Sequence, residues 1–366
     1  MHTASLVHEI FHEPTAPFCE GWVLGRIESI LIQHKIPFFY DDARNLIAGV
    51  KSKSALKKVR VGFIAHADHP GFHIEKKVGK NKYKALWYGG APFKKMKGAE
   101  IAIYHPFLPK EKHRGIISKF KYKTYLREGI PFEIKTEKEL PLVKGCFGAF
   151  DFPALEKKGD LIYTRVADDL TGVVIILGLL IDLKKKLSKN KIAGVFTRAE
   201  EVGWVGCWAI LQAKLFSKDI SLVSLEASKT LPLAEIGKGP VLRIGDRATI
   251  FDSDLSIALW DVARNSKVPF QRRVMDGGSC EASAANLFGY KTTGISIPLG
   301  NYHNEGPSGP APEFVSLKDV DRARKIAKLF AQIFFHPLKA NREVRFKSAQ
   351  KNFKTLLPLL NQRIGF

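Results

Sequence analysis

Glu200 and Glu201 close the apolar run Ile192-Ala-Gly-Val-Phe196 and precede the glycine-bearing stretch Val202-Gly-Trp-Val-Gly206. A strand ending in two carboxylates holds like charges where each desolvates and repels the other. That arrangement is unfavourable unless a cation or a proton resolves it. A hydrolytic metal site gives the pair two jobs, one Glu ligating and the other exchanging protons with an activated water. Alone the pair is weak evidence, because glutamates ordinarily lie on solvated surface.

Its company strengthens it. His66 and Asp68 follow the strand-like run 59–65, Glu226 ends Ser221-Leu-Val-Ser-Leu225, and His303 follows Thr293-Gly-Ile-Ser-Ile-Pro298. In open parallel α/β sheets, ligands bind beyond the carboxyl ends of the strands. Four separate strands delivering His, Glu, Glu and His to one edge is a convergence that chance rarely produces. Asp168-Asp169 opens a helix, with Gly172 four residues after Asp168. An acid at that place is either a cap or a ligand. Two imidazoles and several carboxylates suit Zn²⁺ or a similar divalent ion, and two ions sharing a carboxylate would explain so much acid in one place. His69, His73, His105 and His113 lie in lysine-rich or loop settings and are read as surface residues.

These residues need a scaffold. Apolar runs at 59–66, 191–197, 221–226 and 291–298 alternate with helical patterns at 169–187, 203–215, 253–265, 280–288 and 316–335. The alternation predicts an α/β fold: a mixed, mostly parallel sheet flanked by helices. A further helix is expected over Cys19–Gln33 and a short strand over Leu46–Val50. From about 74 to 160 the pattern becomes short alternating β segments punctuated by Gly and Pro, predicting an inserted small β-barrel. The expected division is 1–74 with 160–366 for the catalytic α/β part, and 75–159 for the insertion. Residues 337–366 form an extra basic tail, with Phe353, Leu356, Leu357 and Leu360 at helical spacing, expected to pack as a surface helix.

The chain has 366 residues and a formal charge of +22. From Glu75 to Arg127, 15 Lys or Arg stand against three Glu, a net of +12 in one segment. The lysines are interleaved with strand-like apolar residues and no nucleic-acid motif accompanies them, so a solvated basic surface is expected. No apolar run approaches the ~20 residues of a membrane span, and the N-terminus lacks the pattern of a secretion signal. Cys19, Cys146, Cys207 and Cys280 are scattered, which fits reduced thiols and a cytoplasmic location.

The strings His66-Ala-Asp68, Val166-Ala-Asp168-Asp169-Leu-Thr-Gly172, Ala199-Glu200-Glu201-Val-Gly203 and Tyr302-His303 occur in order. Together they resemble the dinuclear zinc aminopeptidases of the TET and glutamyl-aminopeptidase type, over roughly residues 5–336. The family inserts its β domain between the first His and the acidic pair, as the spacing from His66 to Asp168 allows. The resemblance implies that Asp168 bridges two divalent ions, Zn with Co or Mn as alternatives. His66 and Glu226 would complete one site, and Glu201 and His303 the other. Glu200 would be the general base, Asp68 would support catalysis by holding the His66 ring, and Asp169 would shape the bridging position. It also implies a homo-oligomer, joined through the inserted domain, that acts on peptides with a free N-terminus. The chain departs from the pattern at Glu226, where Asp is usual, and at Gly277-Gly278-Ser279-Cys280-Glu281-Ala282, where Gly-Gly-Thr-Asp-Ala is usual. It departs again at Asn301-Tyr302, where Arg-Tyr is usual, with Asn304-Glu305 following. The last two changes fall near the expected substrate pocket. Two rival readings are an amidohydrolase or deacylase of a small N-acyl compound with the same site, and a basic nucleic-acid-binding protein.

Overall fold

The computed structural model describes residues 1–121, 127–189, 191–335 and 341–360. Four strands form the parallel centre of a mixed sheet, in the spatial order Ile192–Thr197, Val61–His66, Ser221–Lys229 and Lys291–Gly300. The first two are buried at every residue. Helices cover both faces, and so these strands read as continuous apolar runs rather than as alternation. Antiparallel strands flank the centre, Leu46–Ala48 and Phe38–Tyr40 on one side, and Glu313–Ser316, Leu161–Thr164 and Glu156–Lys158 on the other. A parallel pair, Val241–Asp246 with Gln271–Met275, joins the edge of Lys291–Gly300.

The helix Ala167–Leu183 is buried along its length except at Asp182, which pairs with Arg324 at 2.8 Å. A helix that is apolar all round must lie inside, and this one is sandwiched between the central strands and the outer helix Leu317–Ile333. Gly194 permits the close approach: a Cβ there would overlap Ile176 and lie 3.0 Å from Leu180. Val205–Gln212 and Glu281–Leu287 cover the other face over Ile64, Val195 and Leu222.

Beyond His66 the chain leaves the sheet and closes a six-stranded antiparallel barrel. Its strands run in the order Gly71–Gly79, Lys82–Tyr88, Ile130–Thr136, Leu108–Phe120, Glu100–His105 and Phe147–Phe150, the last returning to the first at Phe72–Gly148. Closure removes the free edges. The interior is aromatic, with the Trp87 ring 6.0 Å from Phe72 and 4.9 Å from Phe150. The α/β sheet with an inserted barrel is the architecture that the sequence predicts.

Three details differ from expectation. His69, in the turn after the strand Val61–His66, and His105, at the end of the barrel strand Glu100–His105, are buried, at 0% and 8% exposure. The tail does form a helix, Asn341–Leu360, which touches Ser253–Asn265, but every residue from 346 to 355 is exposed, Phe346 at 63% and Phe353 at 56%. Side chains at Leu356, Leu357 and Leu360 lie outside the described residues. A helix over Thr3–Phe11, unnoticed in the sequence, buries Leu6, Val7, Ile10 and Phe11 against Ala167–Leu183.

Candidate metal centre

Register delivers the cluster. His66 pairs with Thr197 at the ends of their strands, so Glu200 and Glu201 follow at the same level. Glu226 lies two residues beyond the Ser224–Ile64 pair, level with His66, where its own strand runs on beside Lys291–Gly300. His303 follows Gly300 in a turn where Asn301, His303 and Asn304 all have positive φ, near 55–59°. Asn and His tolerate that region better than most residues. Asp168 and Asp169 are non-helical, and their peptide bond is cis. Asp169 is the true cap, its Oδ1 accepting the Gly172 N–H at 3.0 Å. Asp168 is thereby left to face the sheet edge.

His66 Nε2 lies 3.5 Å from Asp168 Oδ1, and His303 Nε2 lies 3.6 Å from Asp168 Oδ2. Glu201 Oε2 stands 3.3 Å from His303 Nε2, while Glu226 and Glu200 each approach His66 Nε2 to 3.9 Å. Two triads share Asp168, His66–Asp168–Glu226 and Asp168–Glu201–His303, and a third, His66–Glu200–Glu201, adjoins them, each with its donor atoms within 4.8 Å of one another. Asp168 Oδ1 is buried without a hydrogen-bond partner among the described residues. A carboxylate flanked by two imidazoles, with an unsatisfied oxygen facing the shared space, fits a pair of divalent ions.

The electrostatics agree. Burial, reinforced by the charges of Asp168 and Glu200, raises Glu201 well above the usual carboxylate range. Burial likewise raises Glu200, with Glu226 and Asp68 adding to it, and pushes Glu226 up to about 7. Burial alone would lower His66, but the Glu200, Asp168 and Asp68 carboxylates outweigh it and hold the imidazole well above its ordinary value. His303 moves the other way, lowered by burial to about 4, a neutral imidazole free to ligate. Carboxylates that cannot all ionise without added positive charge mark a cation site.

Supporting residues hold the cluster, and apart from Asp68 they lie beyond the reach of the sequence pattern. Asp68 does more than face His66: its two oxygens accept the N–H groups of Glu200 and Glu201 at 3.0 and 3.1 Å, and its Oδ1 is 3.4 Å from His66 Nδ1. Glu313 accepts the N–H groups of Asp168 and His303, at 3.1 and 2.8 Å, and so spans the two triads. His69 contacts the Asp168 carbonyl oxygen at 2.5 Å and Asn304 Oδ1 at 3.1 Å. Glu281, also fully buried, is pushed up to about 8 by burial, with Glu226 and Asp68 adding to it. The segment 277–282 was singled out in the sequence, but only as a departure from pattern.

Glu20 is the least expected of these. Fully buried, it accepts the Ala199 N–H at 2.9 Å and pairs with Arg198 Nε at 2.7 Å, fixing the left-handed Ala199 (φ 52°) that aims the two glutamates. Removing one partner of a buried ion pair costs about 3–5 kcal/mol. Glu20→Ala is expected to lower the thermal midpoint and reduce kcat, and Glu20→Gln, which keeps an acceptor for Ala199, to do both less. Equal kcat values across the three proteins would contradict this positioning role.

The cluster opens into a cleft lined by Lys229, Leu231, Arg243, Met275, Ser279 and Tyr302. Arg243 is buried, held by Ser296 Oγ at 3.3 Å and near Asp246 at 3.7 Å, whereas Lys229 is exposed at the end of its strand. The basic insertion drew attention in the sequence, yet the lysine lining the cleft comes from the Glu226 strand.

Fold and site together define a metallo-exopeptidase class of α/β protein carrying an inserted barrel. The M42 glutamyl aminopeptidase family model matches residues 45–326, and the chain belongs to that family; it is a metal-dependent aminopeptidase, a hydrolase of peptide bonds. Solved structures share the fold at low identity. The TET1 peptidase of Pyrococcus horikoshii, described as assembling into a tetrahedron or a large octahedral shell, superposes with a TM-score of 0.74 at 23% identity, over 90% of this chain and 99% of that one. An aminopeptidase from the archaeon Desulfurococcus kamchatkensis gives 0.73 at 19%, over 90% and 94%. A TET aminopeptidase from a marine-sediment thaumarchaeon gives 0.72 at 19%, over 91% and 98%. Among the described residues, no helix is long and apolar enough to cross a membrane.

Proposed function

We propose that this chain is a dinuclear aminopeptidase releasing N-terminal residues from peptides. Asp168 would be shared between the two ions, with His66 and Glu226 holding one and Glu201 and His303 the other. The observation that carries the reading is that two imidazole Nε2 atoms face the two oxygens of one buried carboxylate, at 3.5 and 3.6 Å. Zinc suits the mixed nitrogen and oxygen donors, with Co or Mn as alternatives. Two bound ions would polarise the scissile carbonyl, acidify a water and hold the free α-amine. Glu200, raised by burial and 11% exposed towards the cleft, is the carboxylate that would accept the attacking water's proton and return it to the leaving amine. Asp68, gripping both glutamate amides and facing His66, keeps the base and the first site in register. Free peptides and their N-acylated counterparts separate this reading from a deacylase: hydrolysis confined to the blocked set would refute it.

Lys229 at the cleft favours an acidic N-terminal side chain, with the Arg243 guanidinium adding to the local positive potential. One charge-assisted contact contributes about 1.5–3 kcal/mol, so Lys229→Ala should cut kcat/KM for Glu-starting peptides by about 10-fold relative to Leu-starting ones. An unchanged ratio would remove Lys229 from the specificity account. The fold-sharing TET1 peptidase can assemble into a tetrahedron or a large octahedral shell, and the insertion, 75–159, is the part proposed to join subunits here or cover the site. The free thiols agree with a cytoplasmic location.

A further inference from the structure

The barrel meets the site at His303. Gly90 follows the barrel strand Lys82–Tyr88, and a Cβ built on it would overlap His303 Nδ1 and lie 2.7 Å from Cε1 and 3.0 Å from Cγ. No left-handed backbone demands glycine there, since Gly90 is absent from the positive-φ positions. The constraint is the ring itself. The ring is confined on one face, where Tyr302 stacks on it with centroids 3.8 Å apart, and its backbone is anchored by the His303 N–H donating to Glu313 at 2.8 Å. The next barrel turn is also tied to this region, Lys95 Nζ donating to the Pro307 carbonyl at 3.0 Å.

We propose that Gly90 is a positioning residue, a bare stretch of barrel backbone against which the His303 imidazole is seated, so that the barrel helps to form the second metal site. The inference rests on the dinuclear reading above. Any side chain at 90 pushes the ring, and Nε2 leaves the position from which it faces Asp168 and Glu201.

The test is competitive titration of zinc against a chromophoric chelator, using purified full-length protein. Wild type should bind two equivalents. Gly90→Ala should keep one at wild-type affinity and weaken the other by about 10–100-fold, the usual effect of disturbing what orients a ligand. Gly79→Ala, in the same barrel with its nearest neighbour 3.7 Å away, should match wild type. In a His303→Ala background the clash disappears, so adding Gly90→Ala should change neither zinc affinity nor the metal-free thermal midpoint. Two unchanged equivalents in Gly90→Ala, equal weakening of both, or a further loss in the double variant would overturn the inference. Wild type binding no zinc would instead refute the dinuclear reading.

Discussion

Glu200→Gln should lower kcat by about 10²–10⁴-fold, the range for losing a positioned general base, while KM and bound metal stay near wild type. The substitution keeps the side chain's size and leaves the backbone N–H bonded to Asp68. It removes only the capacity to accept and return a proton. Glu201→Gln, one residue on, should behave differently, because Glu201 Oε2 sits 3.3 Å from His303 Nε2 in the second triad. There the loss should appear in metal stoichiometry before kinetics. Identical phenotypes for the two neighbours would mean that the adjacent carboxylates do not divide base from ligand.

Removing the metal should change how stability depends on pH. In the metal-free protein, Glu20, Glu226 and Glu281 are pushed up by burial to about 6, 7 and 8, against an unfolded value of about 4.3. A group whose pKa is raised on folding binds more protons folded than unfolded. Its contribution is complete below the unfolded pKa and is lost as pH rises through the folded one. His66, also raised, adds a loss of the same sign. His303, lowered to about 4, opposes it only up to the ordinary imidazole range. The metal-free thermal midpoint should therefore fall between about pH 5 and 8. Divalent ions bind the ionised carboxylates, so zinc should raise the midpoint more at pH 8 than at pH 5; binding at 1,000 times Kd contributes about 4 kcal/mol. Thermal scans with chelator and with zinc at the two pH values measure this. A metal-free midpoint that is flat or rises with pH would contradict it.

The sequence revealed the residues that could meet metal and, through the resemblance, Asp68, but not the other residues that hold them. His66, Glu200, Glu226 and His303 were legible because each ends an apolar run, and parallel strands put such ends on one edge. Glu20, Glu313 and His69 were not, since they act on backbone groups far away in the chain and no periodicity marks them. The barrel was visible as a change from continuous to alternating apolar pattern. Its closure was not, because the Phe72–Gly148 pairing joins segments whose sequences carry no sign of each other. Spacing alone leaves Asp168 and Asp169 undivided between cap and ligand; the resemblance implies the bridging role for Asp168, and the bond from Gly172 makes Asp169 the cap.

The most direct test of the central claim is anomalous scattering at the zinc edge from crystals of the zinc-loaded protein. Two peaks about 3.5–4 Å apart are expected, each within about 2.0–2.2 Å of an Asp168 oxygen, one beside His66 and the other beside His303. No peak at this edge of the sheet, or zinc bound without Asp168, would contradict the account.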